Sequence, residues 1–300
     1  MLDLSNKNIL VTGGNGMIGR ALVATLGKEY PTAVITSVDL PDVDLRDRCD
    51  CMSVCNGQDI VFHLAGIKGS PERCMKSPAS FSVPMIQFNA NMVEAAYSSN
   101  VKWFLYTSSV GVYHPAEIFK EDDVWATAPS ENDWYAGWAK RVGEMNVQAY
   151  MKEYDWPCCS IVRPANVYGP YDNFGKWSMV VPSLIKKASE NDELNVWGDG
   201  SPIRDLIYSE DVARGMIHMV ENEVTEPVNL GSGTGHAIED VAEIVSDYFN
   251  VPVTWDITKR VGDAKRLMDT TRAKSYGFNP KISLKEGIEQ TIEWYKEHVL

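Results

Sequence analysis

The segment Thr12-Gly13-Gly14-Asn15-Gly16-Met17-Ile18-Gly19 follows directly on the apolar run Asn8 to Thr12, and no other feature of the chain narrows its possible folds as far. A strand that turns sharply into a helix exposes free N–H groups and the positive end of a helix dipole, which suits a dinucleotide pyrophosphate. Glycine is needed there because a side chain would block the turn, the approach of the phosphates or the packing of helix on sheet. Three glycines alone carry little weight. Here Asp39 closes the next apolar segment, residues 33–38, at about the distance where ribose hydroxyls are met. The alternative is a Gly-rich hairpin that holds no ligand.

At 300 residues and 44% hydrophobic, the chain can bury one large domain or two smaller ones. A net charge of -13 argues against nucleic acid or an anionic membrane as partner, while leaving room for a local basic patch on a phosphate. The first strand begins within the first ten residues and no apolar stretch reaches spanning length, so a cytoplasmic location is expected. Six cysteines in such a chain read as free thiols. The run Cys49-Asp50-Cys51-Met52-Ser53-Val54-Cys55 lacks zinc-site spacing; it reads as a helix packing small apolar side chains, and no metal is expected.

The first half alternates β-branched runs with helical-period segments, the pattern of a parallel sheet wound with helices on both faces. Strands are expected at 8–12, 33–38, 59–64, 102–108 and 158–163, with helices at 18–28, 86–98 and 138–153. Beyond Pro164 regularity fades into loop chemistry, then helices near 180–190, 239–249 and 284–297 and a strand at 194–197. The expected fold class is α/β, a Rossmann-like doubly wound sheet with a smaller α+β cap. The dinucleotide domain is placed at 1–165 with a returning segment near 205–232, and the substrate domain at 166–204 and 233–300.

Strand ends carry the chemistry. Leu64-Ala65-Gly66 ends the third candidate strand and Ser109 follows the fourth, both at the edge where ligands collect in open α/β sheets. Downstream lie Tyr135 and Lys140. A phenol acidified by a nearby ammonium and within reach of a serine hydroxyl can exchange a proton with an alcohol or ketone while a nicotinamide exchanges a hydride. A serine at a strand end is otherwise a local turn hydroxyl.

These residues, with Asp44-Leu45-Arg46-Asp47, Arg163-Pro164-Ala165-Asn166-Val167-Tyr168-Gly169-Pro170 and Arg204-Asp205-Leu206-Ile207-Tyr208, resemble the extended short-chain dehydrogenase/reductase family of nucleotide-sugar epimerases, dehydratases and reductases. The resemblance covers nearly the whole chain. It is strongest to the GDP-fucose synthase branch, through Ile67-Lys68-Gly69, the 167–174 segment and Trp197-Gly198-Asp199-Gly200. It implies catalysis by Ser109, Tyr135 and Lys140, and a nucleotide-diphosphate sugar substrate, with GDP-linked sugars among the candidates. It also implies that Asp44, Leu45 and Pro164 join the cofactor-binding set, that Lys68, Asn166, Arg204 and Arg266 meet substrate, and that the chain pairs as a homodimer through helices 86–98 and 138–153. Arg260 is a further candidate phosphate clamp.

Three departures qualify this. The family's tyrosine precedes its lysine by four positions, whereas Ala136 fills that slot and Tyr135 lies five before Lys140. Either an irregular first turn or a π-bulge restores Tyr135, or the phenol is lost. Second, the cysteine and histidine that carry protons in double inversion correspond to Gly111 and Met179, which argues against 3,5-epimerisation. Third, Asp39 favours NAD over NADP, as does Asn15 where NADP users often carry arginine; Arg46 and Arg48 keep NADP open. The open readings are an NAD-dependent epimerase or oxidoreductase, a 4-keto-6-deoxy sugar reductase, and a dinucleotide-binding protein without turnover.

Overall fold

A computed structural model describes residues 1–259 and 262–300. Among these the strands are β1 (Asn8–Thr12), β2 (Val34–Val38), β3 (Ile60–His63), β4 (Trp103–Thr107), β5 (Cys159–Pro164), β6 (Asn166–Tyr168), β7 (Leu194–Trp197), β8 (Ile203–Tyr208), β9 (Val228–Leu230), β10 (Gly235–Ala237), β11 (Val253–Asp256) and β12 (Lys265–Arg266). The α-helices are α1 (Met17–Glu29), α2 (Arg48–Cys55), α3 (Pro71–Lys76), α4 (Pro78–Ser98), α5 (Trp134–Glu153), α6 (Val180–Glu190), α7 (Ser209–Glu221), α8 (Ile238–Phe249), α9 (Thr271–Ser275) and α10 (Leu284–His298).

A parallel sheet runs in the order β2-β1-β3-β4-β5-β9. The chain leaves β1 toward β2 and returns to lay β3 on the other side, so a crevice opens at the carboxyl ends of β1 and β3. Alternation along each strand divides two cores. Ile9, Val11, Phe62 and Leu105 pack on α1 and α7, while Leu10, Val61, Phe104 and Tyr106 pack on α2, α4 and α5. A third core joins α6, α8 and α10 to β7 and β8. Cys51 and Cys55 are fully buried, and the Cys51 thiol donates to the Leu45 carbonyl at 3.1 Å, so α2 packs two of its cysteines inward while Cys49 is exposed.

Two helices begin earlier than their sequence pattern suggests. α4 starts at Pro78, where a missing N–H costs nothing in a first turn, and continues through Pro84. α5 starts at Trp134 behind a 3-10 turn at residues 131–133.

Candidate active site

The glycine turn is built by close backbone approach. Gly13 has φ +71°, and its N–H donates to the Val38 carbonyl at 2.9 Å. A Cβ on Gly19 would stand 2.2 Å from the Gly13 carbonyl oxygen and 2.7 Å from Gly14 Cα, so α1 can sit on this turn only without a side chain there. Asp39 accepts the Asn15 N–H at 3.1 Å and the Leu40 N–H at 2.8 Å, which fixes its carboxylate at the end of β2. The nearby cations are already paired: Arg46 Nε lies 2.8 Å from Asp44, and Arg48 lies 2.8 Å from Glu94.

A buried polar chain ties this turn to α5. Thr12 and His63 Nδ1 are 2.8 Å apart, His63 Nε2 and Asn89 Oδ1 3.0 Å, and Asn89 Nδ2 donates to the Tyr106 hydroxyl at 3.0 Å. The Tyr106 hydroxyl in turn donates to the Lys140 carbonyl at 3.2 Å. Burial, with the Lys140 charge second, holds His63 down to about 3, so the imidazole is neutral.

Lys140 donates to the Thr107 carbonyl at 2.7 Å, and burial lowers its ammonium to about 8 against an opposing pull from Glu144. Ser109 caps the 3-10 turn at residues 110–112, accepting the Gly111 N–H at 3.1 Å. Helix α5 comes close to this turn because Gly137 has no side chain; a Cβ there would lie 2.4 Å from the Gly111 carbonyl oxygen. Behind them Glu144 and Arg163 form a fully buried pair at 2.7 Å.

These groups share one cavity of about 870 Å³. Its wall includes Gly13, Gly16, Met17, Ile18, Gly19, Asp39, Asp44, Leu45, Leu64, Ala65, Gly66, Ser109, Lys140 and Pro164 from the cofactor and catalytic sets, and Lys68, Asn166, Arg204 and Arg266 from the substrate set. Two expected site residues are not in that wall. Asn15 is exposed and contributes its N–H to Asp39. Tyr135 is 44% exposed on the outer side of α5, while Ala136 fills the cavity-facing slot. α5 is regular from Trp134 onward, with no π-bulge, so five residues at about 100° each leave Tyr135 far around the axis from Lys140. The expected convergence of phenol, ammonium and hydroxyl is therefore reduced to ammonium and hydroxyl.

The substrate side also differs from its expectation. Arg266 is already shared between Asp133 at 2.5 Å and Asp263 at 2.6 Å. Arg204 has no ion-paired carboxylate among the described residues; it donates to the Ile203 carbonyl at 2.8 Å, and burial lowers it to about 10. Lys68 meets Asp172 at 2.6 Å, bridging the loop after β3 to the loop after β6. Asn166 donates to the Asp205 carbonyl at 3.1 Å. Arg260 lies outside the described residues.

The cavity fits a dinucleotide. Its glycine cradle would be filled by any Cβ, its acidic strand end is preset, and Thr107 Oγ1 is buried there without a hydrogen-bond partner among the described residues. Sequence reasoning passed over Thr107, Asp133 and Asp172. Of these, Asp133 was visible in principle, standing three before Ala136 and seven before Lys140 on one helical face.

The sequence profile of the NAD dependent epimerase/dehydratase family matches residues 9–231. The chain is 33% identical to GDP-L-fucose synthase 1 of Arabidopsis thaliana over 313 residues, covering 100% of this chain and 96% of that protein. It is 31% identical to the GDP-L-fucose synthase of Sinorhizobium fredii over 312 residues, with 100% and 98% covered. The crystal structure of a GDP-L-fucose synthetase from Naegleria fowleri bound to NADP superimposes with a TM-score of 0.88 at 25% identity, covering 99% of this chain and 96% of that one. A glycine turn at the head of a doubly wound sheet, and a lysine and serine set on the cavity it opens into, thus accompany likeness along the whole chain: it belongs to the NAD dependent epimerase/dehydratase family, the extended short-chain dehydrogenase/reductases that act on nucleotide sugars with NAD(P).

Proposed function

We propose that this chain transfers a hydride at one carbon of a nucleotide-diphosphate sugar, GDP-linked by analogy with its relatives, as a 4-keto-6-deoxy sugar reductase or a 4-epimerase using NAD. The observation that carries this reading is the meeting of Lys140, Ser109 and Arg204 in the wall of the same cavity as the glycine turn. When bound, NAD accepts or supplies the hydride at the sugar carbon. The turn N–H groups and the α1 N-terminus would hold its pyrophosphate, Asp39 the ribose hydroxyls, and Asp44 and Leu45 the adenine end. The Lys140 ammonium would hold the second ribose and lend positive charge to the reacting oxygen, which Ser109 would orient. The Arg204 fork takes the sugar diphosphate.

Asp39, with Arg46 and Arg48 engaged elsewhere, supports NAD over NADP. Gly111 and Met179 line the cavity and carry no exchangeable proton, which supports one hydride transfer over inversion at two carbons. A homodimer belongs to the same reading. Val83 and Ile86 on α4 and Trp134, Tyr135, Trp138 and Met145 on α5 leave large apolar side chains exposed on two helices that pack together. No helix among the described residues is long and apolar enough to cross a membrane, and a cytoplasmic compartment is proposed on the free cysteines.

The test is a panel of GDP- and UDP-linked sugars and 4-keto sugars, incubated with NAD or NADH and followed by nicotinamide absorbance and product NMR. Turnover of a GDP-linked member supports the reading. Dinucleotide binding without turnover of any member leaves a binding protein.

A further inference from the structure

With Tyr135 outside the cavity, the proton that accompanies the hydride needs another carrier, and we propose that it is Asp133. This inference rests on the hydride-transfer reading above. Asp133, Ala136 and Lys140 recur at spacings that share one helical face, and all three line the cavity. Helical side chains lean toward the N-terminus, so a long group in the Ala136 slot would reach over the preceding turn. That turn is where Asp133 stands. A Cβ placed on Gly111 would be 3.5 Å from Asp133 Cγ and 3.5 Å from Ser109 Oγ, so carboxyl and hydroxyl flank the same small gap.

The charge balance supports this role. Arg266 pairs with both Asp133 and Asp263, so Asp133 shares its one ion-pair partner with a second carboxylate, while Arg204 acts on it from farther away. Asp263 is committed further, accepting from Ser130 Oγ at 3.0 Å and Asn132 Nδ2 at 2.6 Å. Asp133 makes no side-chain cap to α5, although it is that helix's N-cap residue. The groups facing it from other elements are Arg266 on β12, Arg204 on β8, Asp263 in the loop before β12 and Cys74 on α3. Burial raises the Asp133 carboxyl above the ordinary aspartate range, against the pull of Arg266.

In the oxidising direction the sugar O–H bond breaks and its proton passes to the Asp133 carboxylate. The C–H electron pair leaves the same carbon as hydride for the nicotinamide, and the C=O bond forms. In reduction the protonated carboxyl returns that proton to the oxygen.

The experiment compares wild type with Asp133→Asn, Asp133→Glu and Tyr135→Phe, using a GDP-linked 4-keto-6-deoxy sugar. Asp133→Asn is expected to lower kcat by about 100-fold or more with dinucleotide Kd within about threefold, Asp133→Glu to recover part of the loss, and Tyr135→Phe to stay within about twofold. A second readout needs no dinucleotide and no turnover. In aspartate-labelled protein, the carboxyl carbon resonance missing from Asp133→Asn should titrate above the ordinary aspartate range and move when the GDP-sugar is added. Wild-type-like turnover by Asp133→Asn, complete loss in Tyr135→Phe, or a resonance indifferent to the GDP-sugar overturns the inference while leaving hydride transfer standing. A wild type inert toward every sugar nucleotide overturns both.

Discussion

Lys140 Nζ donates to the Thr107 carbonyl at 2.7 Å, locking helix α5 to the end of strand β4 at the floor of the cavity. The ammonium is held where Gly66 also approaches; a Cβ on that glycine would be 3.6 Å from it. Its charge is thereby directed at whatever lies between the glycine turn and Ser109.

Since burial lowers Lys140 to about 8, the ammonium is charged below that pH and lost above it. Turnover should decline on the alkaline side with a limb near pH 8. Lys140→Met should lower kcat/KM by about 100-fold or more and remove that limb, as read from pH-rate profiles of the two proteins.

His63 sets an acid limit on folding. Its imidazole titrates near the ordinary 6.5 when unfolded and at about 3 when buried between Thr12 and Asn89. Between these values the unfolded chain binds a proton that the folded one does not, so stability is full above about 6.5 and falls as pH drops toward 3. This group should cost about 2 kcal/mol between pH 7 and pH 5. Urea unfolding at the two pH values should give a smaller difference for His63→Asn; an equal difference would assign the acid sensitivity elsewhere.

Asp39 should govern cofactor choice. Its carboxylate is oriented by two backbone N–H groups, and Arg46 on the same cavity wall is held by Asp44. Fluorescence titration with NADH and NADPH should favour NADH by about tenfold or more, about 1.4 kcal/mol, and Asp39→Ser should erase most of that difference.

Arg204 should anchor the substrate rather than the dinucleotide. Arg204→Ala removes a half-buried cation with no ion-paired carboxylate among the described residues, so KM for the sugar nucleotide should rise by about 10- to 100-fold, the worth of a charge-assisted bond. Dinucleotide Kd should be unchanged. Arg266→Ala should instead lower the melting temperature, because it strands Asp133 and Asp263.

The sheet was legible in the sequence because its strands are short β-branched runs bounded by turns; β1 runs from Asn8 to Thr12, as its pattern requires. Helix starts were less legible. Pro78 and Pro84 interrupt the periodicity of α4, yet a proline in a first turn costs no hydrogen bond. In the site, local motifs such as Gly13 to Gly19 and Leu64 to Gly66 could be read directly, because backbone geometry dictates the residue type. What could not be read was partnership across elements. Nothing near Arg266 in sequence announces Asp133, which arrives from another part of the chain to share its guanidinium. The one-residue offset of Tyr135 was visible as a spacing, but its outcome depended on whether α5 began regularly.

Transfer of label from NADH deuterated at the reactive face of C4 to a GDP-linked 4-keto-6-deoxy sugar, read by mass spectrometry in a single turnover, tests the hydride chemistry most directly. The cavity built around Lys140, Ser109 and Arg204 predicts one deuterium on the reduced sugar carbon. NADH bound at the glycine turn with its label intact and the ketone unchanged, for this and every other keto sugar nucleotide tried, would contradict it.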